Sequence, residues 1–194
     1  MKFDYVIGNP PYQEVDGGSG ASATPVYNKF IEETKTLNPT AMSFIIPAKW
    51  YSGGKGLDKF REQMLNDKRM AVLVDYPNSL DVFPNVDVAG GVCYFVWAKS
   101  HDGKCYYINY RDGVKTSEYR DLNEFSTFIR YPIAAEIVKK VRLKGEQTLD
   151  TIVSSRKPFG LATNVKPLKA GDIQLRFNGG IGPYTVSYTH LTLP

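Results

Sequence analysis

The pentapeptide Gly8-Asn9-Pro10-Pro11-Tyr12 combines residue types that suit one chemical problem, the alkylation of an amino nitrogen whose lone pair is delocalised into a purine ring. Such a nitrogen is a poor nucleophile. An oxygen acceptor on each of its N–H bonds favours a tetrahedral nitrogen and frees the lone pair for in-line attack on a sulfonium methyl. Positioning and electrostatics are then the main task, and no catalytic carboxylate or histidine is needed. Asn9 offers a side-chain carbonyl oxygen and Pro10 a main-chain one, on a segment that cannot fold back into helix because a proline follows each of them. A carboxylate at position 9 would accept as well but would add charge close to the donor; asparagine is the neutral solution. Pro11 stiffens the turn. The flat, amphipathic ring of Tyr12 is a surface on which an unstacked base can lie, worth roughly 1–3 kcal/mol per base. The same acceptor pair suits any planar amide or amine, and the tetrapeptide alone also reads as a rigid surface turn.

The flanking sequence supplies the elements that must hold this turn. Phe3 to Ile7 (FDYVI) reads as a short buried strand ending at the turn. Thr24-Pro25 predicts an N-cap with proline at the first helical position, and Val26, Phe30 and Ile31 line a helix to about Leu37 that Asn38-Pro39 ends. Ala41 to Pro47 (AMSFIIP) is a second buried strand, Leu57 to Asn66 an amphipathic helix, and Met70 to Asp75 a third strand. Strand, helix, strand, helix, strand predicts a parallel sheet with right-handed crossovers. Val92 to Trp97 (VCYFVW) follows without a helix and is expected antiparallel to its neighbour. Beyond Lys99, Cys105–Tyr110, an Asp112-Gly113 turn and Val114–Tyr119 predict a hairpin, and Tyr131–Leu143 a further helix.

With these elements in place, FDYVIGNPPYQ resembles the fourth motif of the amino-type DNA methyltransferases. The run from Ala41 through Lys99, including DVFPNVDVAGGVCYFVW, is similar to the Eco57I-like adenine-specific methylases of restriction-modification systems. The resemblance covers about residues 2–100 closely and the following segment loosely. It implies an α/β fold: part of a Rossmann-like sheet of a methyltransferase dependent on S-adenosylmethionine (SAM), with three parallel strands and one antiparallel, followed by the start of a target-recognition region. It also implies methyl transfer from SAM to N6 of an adenine flipped out of duplex DNA. Asn9 and Pro10 then accept from the amino group, Tyr12 stacks on the base and Pro11 stiffens. Phe83, the aromatic of Val82-Phe83-Pro84, resembles a second residue that helps hold the base. A restriction nuclease domain or subunit is an expected partner. The alternatives are a SAM-dependent enzyme acting on glutamine or an RNA base, and a DNA-contacting fragment with no activity of its own.

Members of this order place the glycine-rich SAM-binding strands ahead of the Asn-Pro-Pro-Tyr strand, and here eight residues precede Asn9. The expectation is therefore a catalytic half, residues 1–100, with the main SAM-binding motif missing, inactive alone and binding SAM weakly or not at all. Residues 101–185 are expected to begin the recognition region. The run 186–194, ending in Pro194, resembles the translation of a sequencing-library adapter and is expected to be non-native. Gly17-Gly18-Ser19-Gly20 lacks the Lys-Ser/Thr of a phosphate loop and is read as a flexible loop. His101 is expected in an exposed turn.

Composition bounds the rest. Hydrophobic residues at 42% and charged ones at 23% describe a globular chain, and no run approaches the ~20 apolar residues of a membrane span. No secretory or transit signal follows Met1, so the expected compartment is the cytoplasm. Cys93 and Cys105 lack the paired spacing of a metal site and are expected to be structural; no metal is expected. The net charge of +4 is uneven: residues 1–100 carry 10 basic and 11 acidic side chains, residues 101–194 carry 14 and 9. Lys139, Lys140, Arg142, Arg156 and Lys157, with Lys144, Lys166, Lys169 and Arg176, are the densest part of that excess. They are candidate phosphate contacts, against the plainer reading of a solvated basic face.

Overall fold

The computed structural model of the chain describes residues 3–14 and 24–148. Strand β1 (Tyr5–Gly8) leads through the Asn9–Tyr12 turn to helix α1 (Tyr27–Thr36), strand β2 (Ala41–Pro47), a 3-10 turn (Ala48–Tyr51) and helix α2 (Asp58–Asn66). Strand β3 (Met70–Tyr76), a second 3-10 turn (Ser79–Asp81) and strand β4 (Val92–Ala98) follow. The hairpin β5 (Cys105–Arg111) and β6 (Val114–Arg120) and helix α3 (Pro132–Leu143) complete the described elements. Asp112 and Gly113 both have positive φ, 52° and 76°, the backbone that a two-residue hairpin turn with the strands' own twist demands.

The strands form one mixed sheet in the order β1-β2-β4-β3-β5-β6. β1 runs parallel to β2, β5 runs parallel to β3, and β4 lies antiparallel between β2 and β3, so the α/β expectation of three parallel strands and one antiparallel holds for the first four. β5 and β6 extend this same sheet. The compact unit runs Met1–Leu143, with a second unit from Lys144, so the sheet carries no break at residue 100. The core lies between the sheet and the helices α1 and α2: Met42, Phe44 and Ile46 of β2 and Phe95 and Trp97 of β4 meet Tyr27, Ile31, Phe60 and Met64. A period of two on the strands and of three to four on the helices brings these residues to one interface.

Three expectations need correction. β1 is an edge strand paired only with β2, and Tyr5 and Ile7 are 74% and 83% exposed rather than buried. Helix α1 starts at Tyr27, not at Pro25: the Thr24 carbonyl accepts from Glu14 N at 3.0 Å and Pro25 bridges Gln13, so extended pairing takes the residues that were expected to cap the helix. That start buries Tyr27, Ile31 and Thr34 and leaves Phe30 nearly half exposed. His101 is half-buried, with Nε2 enclosed and unpaired among the described residues, not solvent-exposed.

At the edge of the sheet opposite the Asn9 turn, Asp67 ties four elements together. Its carboxylate accepts from Lys35 Nζ (2.9 Å), Arg69 Nε (2.7 Å) and Nη2 (3.0 Å), and Trp97 Nε1 (2.9 Å). Burial alone would raise its pKa, but the hydrogen bonds from Arg69 and Lys35 outweigh it and hold the carboxyl well below the usual carboxylate range. A depressed folded-state pKa contributes stability above the unfolded value, near pH 4, that is lost as pH falls through the folded one. Asp67→Asn is therefore expected to cost on the order of 2 kcal/mol at neutral pH and to flatten the loss of stability below about pH 4. Urea titrations of both proteins between pH 7 and pH 2 measure this, and parallel pH curves would refute it.

Candidate active site

The carboxyl ends of β1, β2, β3 and β5 and the amino end of β4 converge on one edge of the sheet, where open α/β sheets place their sites. Gly8 closes β1 there; a Cβ on it would meet the Phe44 ring at 3.1 Å, so a larger residue would require that ring to give by a few tenths of an ångström. Asn9 follows, exposed, its side-chain amide without a hydrogen-bond partner among the described residues. Pro10 is buried, and its carbonyl likewise accepts nothing from the described residues. Pro11 is exposed and Tyr12 half-buried. The turn is held from its far end: the Tyr12 carbonyl accepts from Val26 N at 3.3 Å, and Glu14 N donates to Thr24 O at 3.0 Å. Asn9 therefore offers an exposed, unengaged side-chain oxygen at the sheet edge, next to a Pro10 carbonyl that no described residue engages.

The Tyr12 hydroxyl points inward and is enclosed, and burial, with a smaller contribution from Cys93, raises its pKa. Phe83 is half-buried in the loop between β3 and β4, with its N–H donating to Ser79 O at 2.8 Å. Ser79 Oγ knots that loop by donating to Val86 O (3.1 Å) and accepting from Val88 N (2.7 Å). Phe83 thus shares the edge with Asn9, but β1 and β3 are three strand spacings apart, roughly 14 Å at the strand ends.

The candidate phosphate contacts separate. Lys139 is held by Glu124 (2.8 Å) and Glu136 (3.1 Å), and the Arg142 guanidinium lies 5.1 Å from the Phe125 ring centre. Lys140 is exposed and unpaired among the described residues. Arg156, Lys157, Lys166, Lys169 and Arg176 lie outside the described residues, as do the 17–20 loop and the 186–194 tail.

Sequence reasoning missed the polar centre of this edge. Asp75, fully buried near the end of β3, accepts from Tyr107 Oη (3.0 Å), Asn109 Nδ2 (2.8 Å), Arg130 Nε (2.9 Å) and Arg130 Nη2 (2.6 Å). Arg130 also donates from Nη1 to Gly90 O at 2.7 Å, and its guanidinium lies 5.2 Å from the Tyr51 ring centre. Gly91 completes the link: Ala48 N donates to its carbonyl at 3.0 Å, and at φ +80° a Cβ would sit 2.1 Å from Tyr76 O. The available signal was an acid inside the apolar run MAVLVDY, which cannot be buried without partners.

Both cysteines are buried free thiols, each pushed up to about 12, chiefly by desolvation, and are unreactive at neutral pH. Among the described residues no cluster suits a metal ion, and no helix is long and apolar enough to cross a membrane. The one described glycine-rich turn that opens a helix, Ser52–Gly56 before α2, has its Gly54 amide donating to Asp58 Oδ1 at 3.2 Å, so it presents a carboxylate where a phosphate or carboxylate ligand would sit.

Comparison with known proteins finds similarity over part of the chain. Residues 1–83 match the model of the Eco57I restriction-modification methylase family. A Mycoplasma pneumoniae protein described as an uncharacterized adenine-specific methylase is 35% identical over 107 residues, which are 54% of this chain and 25% of that relative; the chain thus spans a small part of its length. Among solved structures, the methyltransferase subunit of a type I restriction-modification system from Streptococcus thermophilus aligns over 76% of this chain and 33% of its own, at 15% identity and a TM-score of 0.41. A structure from work on assembly of the type I system aligns over 79% and 33%, at 15% identity and a TM-score of 0.43. Residues 1–83, which hold β1 to β3 and the Asn9–Tyr12 turn, are therefore similar to the Eco57I restriction-modification methylases over that segment.

Proposed function

We propose that this chain supplies the base-holding side of a DNA methyltransferase that moves a methyl group from SAM to N6 of an adenine flipped from duplex DNA, within a restriction-modification system. The observation that carries the reading is the pair of unengaged acceptors, Asn9 Oδ1 and the Pro10 carbonyl, at the carboxyl end of β1 in a segment similar to the Eco57I methylases. Asn9 and Pro10 accept one amino hydrogen each. This holds the nitrogen with its lone pair directed away from the ring plane and lets the positive charge that develops during transfer meet two oxygens. SAM supplies the methyl group when bound. Tyr12 lies against the base, and Phe83 helps to hold it across the edge; extrusion of the base costs a few kcal/mol that stacking offsets. Residues beyond 100, with Lys140 and the basic side chains after it, contact DNA, and a nuclease domain or subunit is the partner. The setting is the cytoplasm.

The test incubates tritiated SAM with duplex DNA, RNA and a glutamine-bearing protein substrate, using the chain and, where it is part of one, the longer polypeptide. Label should enter DNA and appear as N6-methyladenine on digestion. Label confined to RNA or protein would replace this reading with another methyltransferase class, and salt-sensitive DNA binding with no transfer by the longest polypeptide would reduce it to DNA contact.

A further inference from the structure

The connection from β2 to α2 starts at the edge that carries the Asn9 turn, because β1 and β2 run parallel with Gly8 paired to Phe44. It carries two cations that the fold does not use. In Ala48-Lys49-Trp50-Tyr51 the other three side chains are buried and Lys49 alone is exposed. Lys55, in Gly53-Gly54-Lys55-Gly56, is exposed as well. Neither ammonium has a partner among the described residues. Residues 48–57 include no acid, and Asp58 beyond them is matched by the Gly54 amide at 3.2 Å and by Arg61 at 3.6 Å.

Both lysines stand on a backbone that is held in place. Ala48 N donates to Gly91 O at 3.0 Å, and Ser52 N and Oγ donate to Lys49 O at 3.3 and 3.1 Å. A Cβ on Gly90 would meet Lys49 Cγ at 3.5 Å, so the lysine stem runs against the loop between β3 and β4, which bears Phe83. In the strand order β2 lies next to β1 and on the β3 side of it, which sets Lys49 between the Asn9 turn and that loop. A base held there brings its own sugar and phosphates to the same gap. Lys55 carries an independent sign. Residues 53 to 56 all have positive φ, 71°, 80°, 49° and 80°, a backbone suited to glycine. The lysine among them bears the cost of a left-handed conformation with no contact in the fold to offset it, and such outliers gather at functional sites.

We propose that Lys49 and Lys55 hold phosphates of the DNA strand that carries the flipped nucleotide, so that the connection from β2 to α2 anchors the nucleic-acid backbone beside the base-holding turn. The contact is made by side chains, since the Gly54 amide is already taken by Asp58. Each ammonium that meets a phosphate displaces a condensed counterion, which makes its share of the affinity depend on salt. The placement deepens the proposed function and rests on it.

The test is fluorescence anisotropy of a labelled DNA duplex, titrated with the chain or the longer polypeptide where it is part of one, at salt concentrations from about 50 to about 200 mM. Lys49→Gln and Lys55→Gln should each weaken binding about tenfold near 0.1 M salt and lower the slope of log K against log salt by about 0.9, with Lys49→Arg close to wild type. Lys55→Gly is the sharper variant. It relieves the backbone, so Tm should hold or rise while affinity and slope fall as in Lys55→Gln, a combination that a purely structural role does not produce. Wild-type slopes in Lys49→Gln and in both Lys55 variants overturn the proposal; if the unaltered protein still transfers tritiated methyl groups to DNA, the methyltransferase reading survives that result. Lowered slopes in a protein that binds DNA yet labels only RNA or protein support the phosphate contacts and remove that reading. An unaltered protein with no salt-sensitive DNA binding overturns both.

Discussion

Replacing Asn9 with alanine is expected to lower methyl transfer by about a hundred- to a thousand-fold while the protein folds as before. Asn9 is exposed and its amide bonds to nothing among the described residues, so truncation removes no native contact and leaves no buried group unpaired. Whatever the side chain contributes must be contributed to something that arrives from outside. On the proposed function, with one of two acceptors gone, the amino nitrogen would keep the Pro10 carbonyl but lose the opposing restraint that holds it tetrahedral, so the loss should fall on the chemical step. Single-turnover rates at saturating DNA and SAM should drop while the DNA dissociation constant moves little. Asn9→Asp is the informative companion: it keeps an acceptor and should retain more activity than the alanine variant. A wild-type single-turnover rate in Asn9→Ala, with folding verified by its unchanged Tm, would remove the acceptor pair from the mechanism.

The features visible in the sequence are those that local patterning controls. β2 appears as Ala41–Pro47, the span its apolar run implies, and the Asp112-Gly113 pair makes its hairpin because two positive φ values at one turn favour those residues. The Asn9–Tyr12 turn was legible for a similar reason: its stiffness is written in two consecutive prolines. What the pattern could not show is pairing between distant segments. β4 is inserted between β2 and β3, and its antiparallel direction says nothing of which edges it joins. β1 read as buried because Tyr5, Val6 and Ile7 are apolar, yet burial belongs to the sheet position, and an edge strand leaves Tyr5 and Ile7 open. Helix α1 lost its expected cap because Thr24 and Pro25 met Gln13 and Glu14 across the loop, a contact with no local trace. Asp75 and Arg130 lie 55 residues apart, and only the folded sheet brings them together. The inward turn of the Tyr12 hydroxyl was equally hidden, because a motif defines which ring is present and not which end of it is held.

That long-range pair carries the largest expected effect on stability. Asp75 is fully buried, and Arg130 meets it with a two-pronged contact at 2.6 and 2.9 Å. Removing either partner strands the other's charge in the interior, so Asp75→Ala and Arg130→Ala should each cost about 3–5 kcal/mol in urea unfolding. The double variant should cost much less than the sum, because no uncompensated charge is left. The two singles should still differ. Without Asp75, Tyr107 Oη keeps the Arg130 carbonyl at 2.7 Å, whereas without Arg130 the Gly90 carbonyl loses its donor and the Tyr51 ring its cation. Gly90 precedes Gly91, whose carbonyl binds Ala48 N, so the loss reaches the segment from Ala48 to Tyr51 that walls the edge beside the Asn9 turn. Hydrogen exchange at Ala48 should therefore accelerate more in Arg130→Ala than in Asp75→Ala at matched global stability. Arg130→Lys keeps the charge but cannot reach both carboxylate oxygens and Gly90 O in one plane, so it should fall between wild type and alanine. Additive single costs would mean that the two residues are not energetically coupled, and equal exchange at Ala48 would mean that the Gly90 contact does not hold the site's wall in place.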